Sequence, residues 1–189
     1  QRRRRPPRHQ PGEGRLAHMV SIADRPSEAD SREVPGHWEG DLIMGKEGRS
    51  AMGALVERST RYLLLVRLPN GRTAGEVRAA LTRRTHGLRQ AKLRSLTWDQ
   101  GKEMAEHLQL TAETGIPVYF CNPRSPWQRA TVENTNGLLR QYFPRTRDLS
   151  AFSEDEVRRV EQELNHPPRR ILNWQTPAER FHAGVATTA

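Results

Sequence analysis

Residues 38–44 read Trp-Glu-Gly-Asp-Leu-Ile-Met, a short apolar run with acidic residues inside it. Two more apolar-rich runs follow at residues 51–57 and 62–68, and turn-forming residues separate all three. Short apolar runs joined by brief connections are typical of neighbouring antiparallel strands. The stretch 38–68 therefore predicts a three-stranded meander, which is the starting point for the rest of the fold.

Helices and strands alternate after the meander. Apolar residues recur at helical spacing behind Thr73, whereas continuous short runs such as 93–98 are typical of strands. The remaining elements are predicted as strands at 93–98 and 116–121 and as helices at 73–87, 102–114, 127–142 and 154–164. This order of elements is that of ribonuclease-H-like domains. We therefore predict an α/β fold with a five-stranded mixed sheet flanked by helices.

The composition favours one domain with an anionic partner. The chain has 189 residues, and its 31 Lys and Arg against 22 Asp and Glu give a net charge of +9. This length fits one domain and an attached segment, and a surface so basic favours an anionic partner. The mean hydropathy is −0.84, and no window approaches the ~18 apolar residues of a membrane helix, so a membrane-spanning protein is excluded.

The first 33 residues differ from the rest of the chain. They contain Arg2–Arg5 and Arg8, interrupted by Pro6 and Pro7, and such a run builds neither a helix nor a core. We predict a basic arm or linker over 1–33 and a core over 34–183 that includes a C-terminal helical segment. A solvated linker and direct contact with phosphates both remain open for the arm.

Three carboxylates stand out by their positions in the predicted elements. Asp41 lies inside the first strand, Asp99 follows the fourth strand, and Glu133 lies on the helix after the fifth. A carboxylate within a strand is costly unless it is paired or coordinated. The first and fourth strands are neighbours in this topology, so Asp41 and Asp99 can face one another. Taken singly, each acid also has a plain structural explanation, as a strand-edge acid, a helix cap and a solvated helix residue.

Hard oxygen ligands of this kind suit Mg²⁺ or Mn²⁺. Two such ions ~3.5–4 Å apart can activate an attacking oxygen and stabilise a leaving one in a phosphoryl transfer. The sequence has no Ser-His-Asp constellation and no Gly-rich phosphate loop that would indicate another mechanism.

Three motifs resemble those of DDE transposases of the insertion sequence thirty family. They are Gly-His-Trp-Glu-Gly-Asp-Leu-Ile at 36–43, Thr-Trp-Asp-Gln-Gly-Lys-Glu at 97–103, and the block 121–144 that contains Ser-Pro-Trp-Gln-Arg-Ala-Thr-Val-Glu-Asn. The resemblance extends from about residue 22 to 181. It implies an integrase-type catalytic core in which Asp41, Asp99 and Glu133 bind two Mg²⁺ ions, with Mn²⁺ as a substitute.

The same resemblance implies contacts with DNA. Arg140 lies two helical turns after Glu133 on the same face, where a basic residue can meet DNA, although a salt-bridged surface arginine is the alternative. The residues expected to contact DNA are Arg140, Lys102, Asn134, Asn136, Arg129 and Arg124. For Trp127 we expect packing against the start of its helix rather than stacking on a base.

The expected function is that of a DNA transposase catalytic region, which cleaves transposon ends and joins them to target DNA. A ribonuclease-H-like nuclease without strand transfer and an inactive DNA-binding remnant are the alternatives. Homo-oligomers are expected because two ends must be brought together. Relatives carry a helix-turn-helix before the core, and nothing before Val34 fits one, so we expect no end specificity. With one cysteine, Cys121, and no zinc-type spacing, a reducing cytosol is expected. The resemblance implies a bacterial cytoplasmic protein associated with the nucleoid.

Overall fold

A six-stranded sheet forms the centre of the molecule in the computed structural model, which describes residues 16–183. Its strands are β1 (Val20–Ser21), β2 (His37–Met44), β3 (Ala51–Glu57), β4 (Leu63–Arg67), β5 (Ser95–Trp98) and β6 (Val118–Phe120), in the order β1-β6-β5-β2-β3-β4. Strands β2, β3 and β4 form the predicted antiparallel meander, while β2, β5, β6 and β1 run parallel to one another. The predicted mixed sheet is confirmed, and its central pair is β2 with β5.

The predicted number of five strands is wrong because β1 adds a sixth. This strand has only two residues, which pair with Tyr119 and Phe120 of β6, and a two-residue strand leaves no periodic signal in a sequence. The residues belong to the segment that was predicted as an arm. From residue 16 onward, that segment therefore contributes to the fold, and the arginines of Arg2–Arg5 and Arg8 lie outside the described residues.

Six α-helices surround the sheet within residues 16–183. They are α1 (Glu28–Ser31), α2 (Ala74–Thr85), α3 (His107–Thr114), α4 (Ala130–Leu139), α5 (Glu154–Asn165) and α6 (Pro177–Ala183). Side chains cap two of the predicted helices, since Thr73 accepts from the Glu76 amide and Ser153 forms a capping box with Glu156. The predicted helices at 102–114 and 127–142 begin instead with 3₁₀ turns at Lys102–Met104 and Pro126–Arg129.

The two faces of the sheet carry separate apolar clusters. One contains Trp38, Leu55 and Trp98 and packs under α2 and α3; the other contains Ile43 and Val132 and packs under α4 and α5. Successive residues of β2 point to opposite faces. Glu39, Asp41 and Ile43 therefore share the face that α4 covers, and this alternation sets the position of the site.

The C-terminal segment completes both the edge and the core of the sheet. Glu161 accepts from the Leu65 amide, and Asn165 both accepts from the Leu63 amide and donates to its carbonyl, so α5 saturates backbone groups of the edge strand β4. Phe181 stacks on Tyr62 with ring centroids 4.2 Å apart. Within residues 16–183, no helix combines the length and the apolar character needed to cross a membrane.

Candidate active site

Asp41 lies in the middle of β2 and faces α4. It is paired with Ala54 of β3 in the antiparallel register, and its side chain is 23% exposed. One carboxylate oxygen, Oδ2, accepts a 2.8 Å hydrogen bond from Nδ2 of Asn136 on α4. A carboxylate inside the sheet thus reaches a cleft between β2 and α4, where it is only partly shielded from water.

Asp99 reaches the same point from the neighbouring strand. Glu39 pairs with Thr97 in the parallel register of β2 and β5, so the chain directions bring Asp41 and Asp99, two residues further on, to the same level. The backbone amide of Gly101 donates to Asp99 Oδ1 over 3.0 Å and fixes its orientation. The expectation that the first and fourth predicted strands are neighbours is confirmed.

Glu133 joins the two aspartates because a buried acid holds α4 against β2. The Glu39 side chain is fully buried, and its Oε2 accepts from the backbone amides of Thr131 and Val132 over 2.8 and 3.0 Å. These amides belong to the first turn of α4 and have no partner within the helix. Glu133 follows in the same turn, so the anchor at Glu39 determines where its carboxylate lies.

The guanidinium of Arg129 is the point on which the three acids converge. Its Nη1 is 3.1 Å from Asp41 Oδ1, while its Nη2 is 3.5 Å from Asp99 Oδ2 and 3.8 Å from Glu133 Oε1. Nη1 also donates to the carbonyl of Gly40 over 3.1 Å. Arg129 is buried, so its position does not agree with the expected contact with DNA. It is instead the shared partner of Asp41, Asp99 and Glu133, the triad of acids.

Burial and neighbouring charges shift the pKa values of Asp41 and Arg129 in opposite directions. Burial raises the pKa of Asp41 above its usual value, although Arg129 opposes that rise. For Arg129, burial lowers the pKa, but the carboxylates of Asp41 and Asp99 outweigh burial and the pKa is raised overall. The arginine therefore keeps its charge, and it partly compensates the negative charge of the acids.

The donor set fits a hard divalent cation. Carboxylate oxygens are the ligands that Mg²⁺ and Mn²⁺ prefer, and Oδ1 of Asn136, beside Asp41, is a buried oxygen with no hydrogen-bond partner. Across residues 16–183, however, no group of three or more His, Cys, Asp or Glu side chains is arranged tightly enough to hold an ion by itself. The acids instead surround Arg129, which sets their spacing.

The cleft in front of Asp41 is lined by apolar residues and by both acidic and basic side chains. It has a volume of about 640 Å³, and its lining includes Glu133, Asn136, Arg140 and Arg145. Arg140 donates from Nη1 to the Met44 carbonyl over 2.7 Å, which places its guanidinium along the cleft wall. Arg145 was not among the expected DNA contacts, because it follows the helix and Pro144 in a segment without a recognisable pattern.

The other expected DNA contacts are divided between surfaces. Asn136 lies in the cleft, and Lys102 is exposed in the 3₁₀ turn that follows Asp99. Asn134 instead lines a separate groove on another face of α4, together with Arg61. Arg124 is exposed in the turn before Pro126. The cleft therefore unites Asn136 and Arg140 with Asp41 and Glu133 but does not include Asn134.

Trp127 does not pack against the start of α4, so that expectation is wrong. Its side chain is 70% exposed. The 3₁₀ turn Pro126–Arg129 directs Arg129 inward to the acids and leaves Trp127 on the outside. Sequence reasoning did not find Glu39 as a functional residue, although its place two residues before Asp41 puts both acids on one face of the strand.

A known protein family matches the part of the chain that carries the two aspartates. The family model described as the integrase core domain matches residues 31–126, which include Asp41 and Asp99. The chain belongs to the integrase core domain family. Glu133 lies beyond the matched segment, and it joins the two aspartates through the anchor that Glu39 provides to α4.

Curated relatives of this integrase core domain include transposases of insertion sequences. The chain is 51% identical over 166 residues to the transposase for insertion sequence element IS1086 of Cupriavidus metallidurans, covering 88% of this chain and 49% of that protein. It is 44% identical over 173 residues to transposase InsI for IS30A of Escherichia coli, covering 92% and 45%. The chain spans about half the length of these relatives. They confirm the resemblance to the insertion sequence thirty family.

Among solved structures, the integrase core domain is similar to a chain of the simian T-cell lymphotropic virus intasome in complex with PP2A regulatory subunit B56 gamma. The TM-score is 0.62, and the match covers 79% of this chain and 55% of that chain at 19% identity. At this identity the likeness concerns the fold alone. It agrees with the ribonuclease-H-like arrangement described above.

Proposed function

We propose that this chain is the catalytic region of a DNA transposase that cleaves and joins phosphodiesters. The observation that carries the proposal is the convergence of Asp41, Asp99 and Glu133, each within 3.1–3.8 Å of one guanidinium, in a member of the integrase core domain family. The acids come from two strands and a helix that are far apart in the sequence. A purely structural role does not require three part-exposed acids around one guanidinium.

Asp41, Asp99 and Glu133 would hold divalent ions, Mg²⁺ or in its place Mn²⁺. Bound at a phosphodiester, such ions supply activation of the attacking oxygen and stabilisation of the leaving oxygen. The surrounding residues keep the acids in place: Asn136 holds Asp41, and Glu39 anchors the helix that carries Glu133. This preorganisation is what a phosphoryl transfer requires of a protein.

The proposed reaction has two steps. In the first, a water oxygen attacks phosphorus at a transposon end, and the bond from phosphorus to the 3′ oxygen breaks to leave a 3′ hydroxyl. In the second, that hydroxyl attacks a phosphodiester of target DNA, which forms a new phosphorus–oxygen bond and releases a 3′ oxygen of the target strand. No covalent link between protein and DNA takes part.

DNA is the proposed partner, and three basic side chains near the acids support this choice. Arg140 and Arg145 line the cleft beside Asp41, and Lys102 is exposed next to Asp99. Positive side chains at these positions attract phosphates toward the acids. Assembly into oligomers is part of the proposal, because joining an element to its target requires two ends at once.

The test is metal-dependent nicking and joining of DNA that carries the element ends. The variants Asp41→Asn, Asp99→Asn and Glu133→Gln are each expected to abolish both products with Mg²⁺ and with Mn²⁺. Glu76→Gln is the matched control, because Glu76 lies in the first turn of α2 as Glu133 lies in the first turn of α4, and it should keep full activity.

Three outcomes of this experiment distinguish the proposed function from its alternatives. Nicked product with no joined product supports a nuclease without strand transfer. No product in wild type, with DNA binding retained, supports an inactive remnant. Retention of full activity by Asp41→Asn contradicts the assignment of the triad.

A further inference from the structure

Arg129 has an unusual position for an arginine beside an active site. Its side chain is 9% exposed, whereas those of Asp41, Asp99 and Glu133 are 23%, 43% and 40% exposed. The cation therefore lies on the inner side, and the three acids separate it from solvent. An arginine that served to contact DNA would have the opposite arrangement, with its guanidinium toward the solvent.

Arg129 is held by more than its acidic partners. Nη1 donates to the Gly40 carbonyl on β2, and the residue ends a 3₁₀ turn directly before α4. The first amides of α4 are in turn bound by the buried Glu39. These anchors oppose movement of the guanidinium into solvent, so a cation that approaches the acids meets them from their exposed side.

We propose that Arg129 is the resident cation of the triad, which holds the three acids together without a metal and weakens their binding of a divalent ion. This inference rests on the proposed function, in which the triad binds such an ion. Three carboxylates and one guanidinium leave a net charge of about −2, which still attracts a divalent cation. The positive charge of Arg129 beside the ion reduces that attraction.

The test is Arg129→Gln, which removes the charge and keeps a side-chain amide that can donate to the Gly40 carbonyl. In EDTA this variant is expected to unfold at a lower temperature than wild type, because the acids repel one another without a countercharge. Its affinity for Mn²⁺ alone, measured by calorimetry, should be higher by about tenfold or more, since a unit charge a few ångströms from a divalent ion is removed.

Two variants serve as controls. Arg129→Lys keeps a positive charge and should keep an Mn²⁺ affinity close to that of wild type. Arg61→Gln removes another part-buried arginine, whose guanidinium donates to Thr131 of the same helix, and should leave Mn²⁺ affinity unchanged. If Arg129→Gln does not fold in EDTA, the double variant Asp41→Asn/Arg129→Gln should be more stable in EDTA than Arg129→Gln, because one acid has been removed with the cation.

Wild-type binding of Mn²⁺ without a gain in Arg129→Gln overturns this inference alone. Equal stability of wild type and Arg129→Gln in EDTA overturns it as well, and so does a double variant no more stable than the single one. If neither wild type nor Arg129→Gln binds Mn²⁺, the proposed function fails and the inference fails with it. The two failures are therefore distinguishable in one set of titrations.

Discussion

Two acids of one strand, Glu39 and Asp41, have opposite environments although they point to the same face of β2. Glu39 is fully buried, accepts from two backbone amides, and lies 3.3 Å from the guanidinium of Arg58. Asp41 is part-exposed at a cleft and shares Arg129 with two other acids. A buried carboxylate that accepts from the backbone through one oxygen and faces a guanidinium with the other stabilises the structure. A carboxylate that remains open to solvent among other acids is available for chemistry.

The largest effect is expected from Asp41→Asn. This change removes one acid from the triad but leaves an amide of the same shape, so DNA nicking should fall by at least about a hundredfold. The midpoint of urea unfolding should change little, because the Arg129 guanidinium keeps Asp99 and Glu133 as partners. Measurement of both quantities on one preparation separates loss of chemistry from loss of fold. A large drop in stability with the specific activity preserved would reverse the roles assigned to Asp41 and Glu39.

Glu39→Gln, in contrast to Asp41→Asn, is expected to lower the stability of the protein. The variant removes the carboxylate 3.3 Å from the buried Arg58 guanidinium, which keeps Asp30 at 3.9 Å, and it weakens the anchor of α4. The free energy of unfolding should therefore fall by about 2 kcal/mol. Urea unfolding monitored by tryptophan fluorescence measures this change. Activity should also fall because Glu133 loses its support, but Mn²⁺-dependent nicking should remain detectable at low temperature. An unchanged unfolding midpoint would show that the anchor does not stabilise the fold.

Gly40 lies between the two acids and allows the sheet to pack closely beneath them. A Cβ at this position would overlap the Trp98 ring, so Gly40→Ala should destabilise the protein by about 1–3 kcal/mol through displacement of that ring. Thermal unfolding measures this effect. Gly137→Ala is the control, because nothing lies within 4 Å of a Cβ built there; since Gly137 lies inside α4, this change should raise the stability by about 0.5–1 kcal/mol. Equal unfolding temperatures of Gly40→Ala and wild type would contradict the close packing.

The smallest effect is expected at the rim of the cleft. Arg145 is exposed there, so Arg145→Gln should weaken DNA binding only severalfold and reduce the slope of affinity against salt concentration by about one charge. Fluorescence anisotropy with labelled DNA over a range of salt concentrations provides both values. An unchanged slope would place DNA elsewhere on the surface.

The fold could be predicted from the sequence where patterns are long enough to be read. The run at 38–68 predicts the meander, and its continuation predicts β5 beside β2. Strand β1 could not be predicted, because a two-residue strand depends on pairing with β6 rather than on its own pattern. The 3₁₀ turn before α4 was also missed, since a Pro at its start fits a helix equally well.

Prediction of the site was most successful for acids that lie within or directly after an apolar strand. Asp41 and Asp99 could be placed together because the first and fourth predicted strands were expected to be neighbours, while Glu133 depended on the family resemblance. The roles of Glu39 and Arg129 could not be predicted, because they arise from contacts between distant parts of the chain. Glu39 binds amides 92 and 93 residues away, and Arg129 lies 30 residues from Asp99.

The most direct test of the central claim is a crystal structure of the protein with Mn²⁺, in which anomalous scattering locates the ions. The account predicts anomalous peaks at the cleft with carboxylate oxygens of Asp41 and Asp99 as ligands, and loss of those peaks in Asp41→Asn crystals. Peaks only at other sites, or peaks that persist unchanged in the Asp41→Asn variant, would contradict the account.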